Sequence, residues 1–240
     1  MEWFKSLVKK KLYNLLNNIL EEDARNIDRA LQRKALESTV DFILTEKKLL
    51  KSRVFENKFD LLKYSITQIT LDGLVMEFGV YKGETINYIA GLLPNKQIYG
   101  FDSFEGLPET WRYNFYKGTF KIDNLPNVRK NVILIKGWFE NILPNFVKTI
   151  GDTPVSFLHI DCDLYASTKT IFNYLKDNIT AGTIIVFDEF FNYVSWEEGE
   201  FKAFYEFVNE NNVEFEWIGF VYRHEQVAVK ITKILECNHV

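Results

Sequence analysis

Leu74-Val75-Met76-Glu77-Phe78-Gly79-Val80-Tyr81-Lys82-Gly83-Glu84-Thr85 is an apolar run of strand length that breaks at a glycine and resumes as a helix through Ile86, Tyr88 and Ile89. A strand buried on both faces reads as a near-continuous apolar run. Glycine where such a strand ends lets a ligand approach the backbone, and glycine at the helix start allows tight packing while free amides face the ligand. The spacing is Gly-x-x-x-Gly, so the Gly-x-Gly-x-x-Gly fingerprint of a dinucleotide pyrophosphate is absent. By itself the turn fits a cofactor loop or an ordinary strand-to-helix connection.

Downstream, four more runs of the same kind follow, over 97–101, 132–135, 155–160 and 183–187, each separated by enough chain for a helical crossover. The last segment changes pattern. Val213, Phe215 and Trp217 alternate with Glu214 and Glu216, a turn passes through Arg223-His224, and Gln226 to Ile231 runs back as a hairpin. Five parallel strands closed by an antiparallel hairpin predict an α/β, Rossmann-like, seven-stranded sheet of the class I methyltransferase kind, in contrast to the all-parallel dehydrogenase sheet. Upstream, Trp3, Phe4, Leu7, Val8, Leu12, Leu15, Leu16, Ile19 and Leu20 recur at helical spacing among Lys5, Lys9, Lys10 and Lys11. A more charged helical stretch over 22–51 follows. Residues 1–55 therefore read as an N-terminal helical cap or oligomerisation segment and 56–240 as one domain. The amphipathic first helix suits packing on the domain or on a partner subunit, or lying on an anionic membrane surface.

The 240 residues carry 29 Lys and Arg against 33 Asp and Glu, a net charge of −4, which excludes a generic polyanion binder. With 47% hydrophobic and 16% aromatic residues the chain has ample material for a core, which excludes disorder over most of its length. Cys162 and Cys237 make no disulfide framework, and no signal peptide or bilayer-length apolar stretch is evident, so the reducing cytoplasm is the expected compartment.

Candidate cofactor residues follow the first three strands. Glu77, Gly79, Tyr81, Gly83 and Thr85 belong to the first turn, Asp102 and Ser103 to the second, and Gly137 and Trp138 to the third. Asp102 is placed to accept the hydroxyls of a ribose, or else it is a turn residue ahead of Gly106. Trp138 offers a stackable wall for adenine or a core position. A ribose acid without a pyrophosphate fingerprint suits S-adenosylmethionine better than NAD. The fourth strand ends in His159-Ile160-Asp161-Cys162-Asp163-Leu164-Tyr165 and the fifth in Phe187-Asp188-Glu189, so four carboxylates crowd one sheet edge. Their repulsion calls for something positive between them. Oxygen donors without zinc-type Cys/His spacing suit magnesium, calcium or manganese, with Asp161, Asp188 and Glu189 as ligands and Asp163 or Asp161 as base for an acceptor hydroxyl. One or two of these acids could instead cap helices. His159 reads as a core histidine and His224 as solvated, and Cys162 lies between acids that disfavour a thiolate.

These motifs, with Gly100-Phe101-Asp102-Ser103-Phe104-Glu105-Gly106-Leu107-Pro108 and Lys136-Gly137-Trp138-Phe139, resemble the macrocin O-methyltransferase (TylF-type) family, which includes mycinamicin and novobiocin sugar O-methyltransferases. The resemblance runs in order over about 59–231. It implies S-adenosylmethionine- and magnesium-dependent methylation of a sugar or glycoside hydroxyl by an oligomer; the charge balance argues separately against a nucleic-acid partner, and the apolar N-terminal helix suits a homodimer or higher homo-oligomer. By position it assigns Asp161, Asp188 and Glu189 to the metal, Asp163 to the base, and Glu77, Gly79 and Asp102 to the cofactor. Glu189 departs from the Asp-Asp pair of the best-known members. The segments 117–120 and 192–196 are expected to line the acceptor pocket. Two other readings compete. Asp161-x-Asp163 after an apolar strand also resembles the nucleophile motif of haloacid-dehalogenase-type phosphatases, although there it follows the first core strand, and an inert module could retain the fold.

Overall fold

Helices α1 (Glu2–Arg25), α2 (Ile27–Thr45) and α3 (Lys47–Leu50) precede a short strand, β1 (Arg53–Phe55). Helix α4 (Lys58–Thr67) follows, and then β2 (Leu74–Phe78), α5 (Glu84–Leu92), β3 (Ile98–Asp102), β4 (Val132–Lys136), α6 (Phe139–Ile150), β5 (Val155–Ile160), α7 (Tyr165–Leu175) and β6 (Ile179–Phe187). A 3-10 turn at Trp196–Glu198, helix α8 (Glu200–Glu210) and the hairpin β7 (Val213–Val221) and β8 (Val227–Ile234) end the ordered elements. The computed structural model describes residues 2–235. Cys237 and the side chains of Ile19 and Leu20 lie outside the described residues.

All strands join one sheet in the order β1-β7-β8-β6-β5-β2-β3-β4, and only β8 runs antiparallel to its neighbours β6 and β7. This is the expected parallel sheet with its closing hairpin, the class I methyltransferase fold, extended by one strand. That strand, β1, pairs in parallel with β7 through Arg53↔Gly219, Val54↔Phe220 and Phe55↔Val221. Three residues are too few for periodicity to reveal, and they fall inside the stretch read as helical cap. Strand β2 lies between β3 and β5, so the winding reverses there, and a crevice opens outside the carboxyl ends of these strands.

Alternate residues of the central strands feed two cores. Met76, Phe78, Leu158 and Phe187 pack with α6 to α8 on one face, and Val75, Phe157 and Ile184 pack with α4 and α5 on the other. Helix α2 also packs on the domain. Its Ala35 and Thr39 are buried, Phe42 lies against Trp196 with ring centroids 5.5 Å apart, and Ser38 Oγ accepts from Trp196 Nε1 at 2.8 Å. Thr39 Oγ1 accepts from the Asn192 amide at 2.9 Å. The segment 192–196 is therefore held by α2 and does not line the crevice, contrary to expectation, because Tyr193 and Trp196 are apolar enough to be buried. Helix α1 instead leaves Trp3, Phe4, Val8, Leu12, Leu15 and Leu16 exposed. Among the described residues no helix is long and apolar enough to cross a membrane.

Candidate active site

The crevice is a cavity of about 760 Å³ at the carboxyl ends of β2, β3, β4, β5 and β6. One wall is the turn after β2. Gly79 has φ +89°, and a Cβ there would lie 1.5 Å from the Asp161 carbonyl oxygen, so this turn and the one after β5 touch through a position only glycine can fill. Asp102 holds the turn from the next strand. Its Oδ2 accepts from the amides of Val80 and Tyr81, both at 2.8 Å, and its Oδ1 accepts from Phe104 at 2.7 Å. Of the two sequence readings of Asp102, the turn-forming one is visible directly, and the residue also lines the cavity. Gly79, Tyr81, Thr85, Ser103, Gly137 and Trp138 line it as well.

Two candidate cofactor residues do not reach this wall. Glu77 is fully buried, with its carboxylate accepting from Thr85 Oγ1 at 3.1 Å and paired with His159 Nδ1 at 2.9 Å. Strand pairing sets Glu77 directly beside His159, so the two side chains rise from one face of the sheet and meet there, and Glu77 does not line the cavity. Gly83 starts α5 at φ +81° facing Pro126 and Asn87, so it shapes the helix start without lining the cavity.

The facing wall carries the acids. Asp163 at φ 65° turns the chain directly after Asp161, and both side chains line the cavity with Asp188 and Glu189. His159 is buried and links the row. Nδ1 meets Glu77, while Nε2 lies 3.7 Å from Asp188 Oδ1, beyond hydrogen-bond reach. Neither of those facing atoms has a hydrogen-bond partner, and the same holds for Glu189 Oε2. Unpartnered polar atoms at such depth are unusual and mark a place where a further group belongs. His159, Asp161 and Asp188 each offer a ligand atom within 4.8 Å of the others; the two carboxylates suit a divalent cation, and the imidazole can join them as a ligand only when it has lost its proton. Glu189 stands outside that trio.

Positive charge is present at this wall, from residues the sequence reading did not bring there. Lys58, the first residue of α4, places Nζ 3.4 Å from Asp188 Oδ2, which also accepts from Gln226 Nε2 at 3.2 Å. Burial alone would push the His159 imidazolium down, but the Asp188 and Glu77 carboxylates on either side outweigh it and raise its pKa to about 10. Burial would likewise raise Asp188, and His159 and Lys58 overcome it and hold the carboxyl low. Burial and then the charge on Asp188 push Asp161 and Glu189 up, and Asp163 up to about 7. Burial foremost raises the Cys162 thiol, which excludes a reactive thiolate.

The outer cavity is lined by a segment that carried no recognised motif. Arg112 donates to both Glu225 oxygens at 2.9 and 3.2 Å, and its guanidinium lies 3.9 Å from the Trp111 ring centroid. Trp111, Phe115 and Phe120 line this end. Phe120 belongs to the segment expected there, and His224, read as solvated, is exposed at the rim.

Comparison with known proteins bears on this geometry. Residues 76–190 match a family described as a methyltransferase domain. An 8-demethyl-8-(2,3-dimethoxy-alpha-L-rhamnosyl)-tetracenomycin-C 4'-O-methyltransferase of Streptomyces olivaceus is 24% identical over 161 residues, 55% of this chain, and the match spans only 60% of that relative's length. Among solved structures, the calicheamicin methyltransferase CalS11 superposes with a TM-score of 0.56 at 20% identity, covering 94% of this chain and 91% of that one. The O-methyltransferase NovP gives 0.58 at 17% identity, covering 73% and 79%. At these identities the structural likeness speaks for the fold. The matched stretch holds the glycine-rich turn and all four acids, and the fold around it is that of a methyltransferase.

Proposed function

We propose that the protein is an O-methyltransferase that moves the methyl group of S-adenosylmethionine to a hydroxyl of a small molecule, a sugar or glycoside, at a site that takes a divalent cation, magnesium. One observation carries this reading. Within a single cavity, the turn of a methyltransferase domain faces a cluster of buried acids that includes unpartnered oxygens. The named activity of the tetracenomycin relative, a sugar O-methylation, supports the choice of acceptor class.

In this reading Gly79, Tyr81, Ser103 and Trp138 hold the donor, and Asp102 keeps the amides of Val80 and Tyr81 in place for it. Asp161 and Asp188 hold the cation, with His159 beside them and Glu189 as the further acid. When bound, the cation supplies a Lewis acid that lowers the pKa of an acceptor hydroxyl. Asp163, raised to about 7, accepts the proton as the acceptor oxygen attacks the methyl group, with Asp161 as the competing base. The aromatic wall of Trp111, Phe115 and Phe120 excludes water and orients the acceptor.

Calorimetric titration of S-adenosylmethionine and S-adenosylhomocysteine into the full chain, with magnesium and with chelator, tests the donor. Micromolar binding, followed by transfer of labelled methyl to a sugar or glycoside, is the expected result. Absence of donor binding under both conditions overturns the proposal and returns the metal-only phosphatase and the inert module. We also assign the exposed apolar residues of α1 to contact with a second copy of the chain, and sedimentation at micromolar concentration showing only monomer refutes it.

A further inference from the structure

Lys58 has no part in the chemistry above, yet its ammonium points into the acid cluster. Asn57 caps α4, accepting from the Asp60 amide at 3.0 Å, and so fixes Lys58 as the first helical residue at the cavity wall. From there Nζ lies 3.4 Å from Asp188 Oδ2, with 30% of the Lys58 side chain and 6% of the Asp188 side chain exposed. Among the described residues no other lysine or arginine comes within 4.0 Å of Asp161, Asp163, Asp188 or Glu189. The lysine takes one oxygen of Asp188, and the other, Oδ1, has no hydrogen bond and lies 3.7 Å from His159 Nε2.

Lys58 and a divalent ion thus draw on the same carboxylate. An ion held by Asp161 and Asp188 would sit within a few ångströms of a fixed positive charge, and at that separation the two repel. In the absence of an ion the same ammonium offsets the repulsion among the acids and keeps them assembled. We propose that Lys58 is a resident cation that competes with the divalent ion for Asp188 and thereby sets how tightly the site holds that ion. The proposal rests on reading the acid cluster as a cation site.

Binding of Mn²⁺ to the full chain, followed by electron paramagnetic resonance of the free ion, tests it in the wild type, Lys58→Met, Lys58→Gln and Lys58→Arg. Both neutral variants are expected to bind Mn²⁺ about tenfold or more tightly than wild type, and Lys58→Arg, which keeps the charge, to bind within about threefold of it. In chelator, both neutral variants should melt below wild type, and Mn²⁺ should restore them. Equal or weaker Mn²⁺ binding by both neutral variants, against measurable binding by wild type, overturns the role of Lys58 and leaves the cation site standing. Binding by the neutral variants but not by wild type supports Lys58 as the occupant and removes the cation from the natural protein. No binding by any variant overturns both.

Discussion

Gly79 is set by what lies behind it. The Asp161 carbonyl occupies the space a methyl group would need, and φ +89° disfavours any L side chain. Gly79→Ala should lower stability by about 1–3 kcal/mol or more, read by denaturant unfolding, and should weaken donor binding, because the turn must lift away from the acid-bearing strand end. Asp161→Asn should behave differently. It removes one oxygen donor at nearly constant volume, so methyl transfer should be abolished while S-adenosylmethionine binds within a few-fold of wild type; unchanged turnover in this variant sinks the assignment. At this scale the sequence was legible where chemistry repeats in a short window. Asp161, Asp163, Asp188 and Glu189 stand out because acids rarely follow strands buried on both faces. Lys58 was not legible, since one lysine at the start of a helix looks like any solvated lysine until the fold sets it against Asp188. For Glu77, an acid at a strand end beside glycine signals a ligand contact, and only the pairing of β2 with β5 shows that its carboxylate also meets His159.

Among elements, the segment of Trp111 to Phe120 and the β7–β8 hairpin are tied by one pair, Arg112 and Glu225, over the cavity mouth. Truncation in Arg112→Ala removes a bidentate bond and the stacking on Trp111, so the wall should loosen. Steady-state kinetics should show a raised KM for the acceptor, by about tenfold given the strength of a charge-assisted pair, with a smaller change in the KM for the donor. A fall in donor affinity of the same size would place Arg112 on the wrong side of the cavity. The parallel strands were legible as elements because both faces of each are buried, so apolar residues run on without alternation. The wall built from Trp111, Arg112 and Phe115 was not, because it has no periodicity and its function arises from an ion pair between residues far apart in sequence. Removal of residues 2–25 tests the helical region in turn. Since α1 leaves its apolar side chains exposed and α2 carries the packing on Trp196, the shortened chain should melt within a few degrees of the full one and sediment as a smaller species.

Over the whole molecule, the eight strands have two outer edges, β4 and β1. Strand β7 is nine residues long and pairs with β1 at Gly219, Phe220 and Val221, so without β1 the outer backbone groups at this end would face water as an open row. Such a row is a template for pairing with another chain, and proteins commonly blunt it with a short, charged edge strand. Arg53 to Phe55 does this with three residues, and Arg53, stacked 4.5 Å over Tyr64, keeps a cation at the new edge. A chain begun at residue 56, the boundary that the sequence pattern favours, would therefore keep every residue of the cavity and lose its protection against self-association. It should precipitate or form β-rich aggregates on concentration, measurable by light scattering and thioflavin fluorescence, while a chain begun at residue 26 should stay clear. The three residues that close the sheet thus act as its selvedge, the narrow finished border that keeps a woven cloth from being taken up by the next thread.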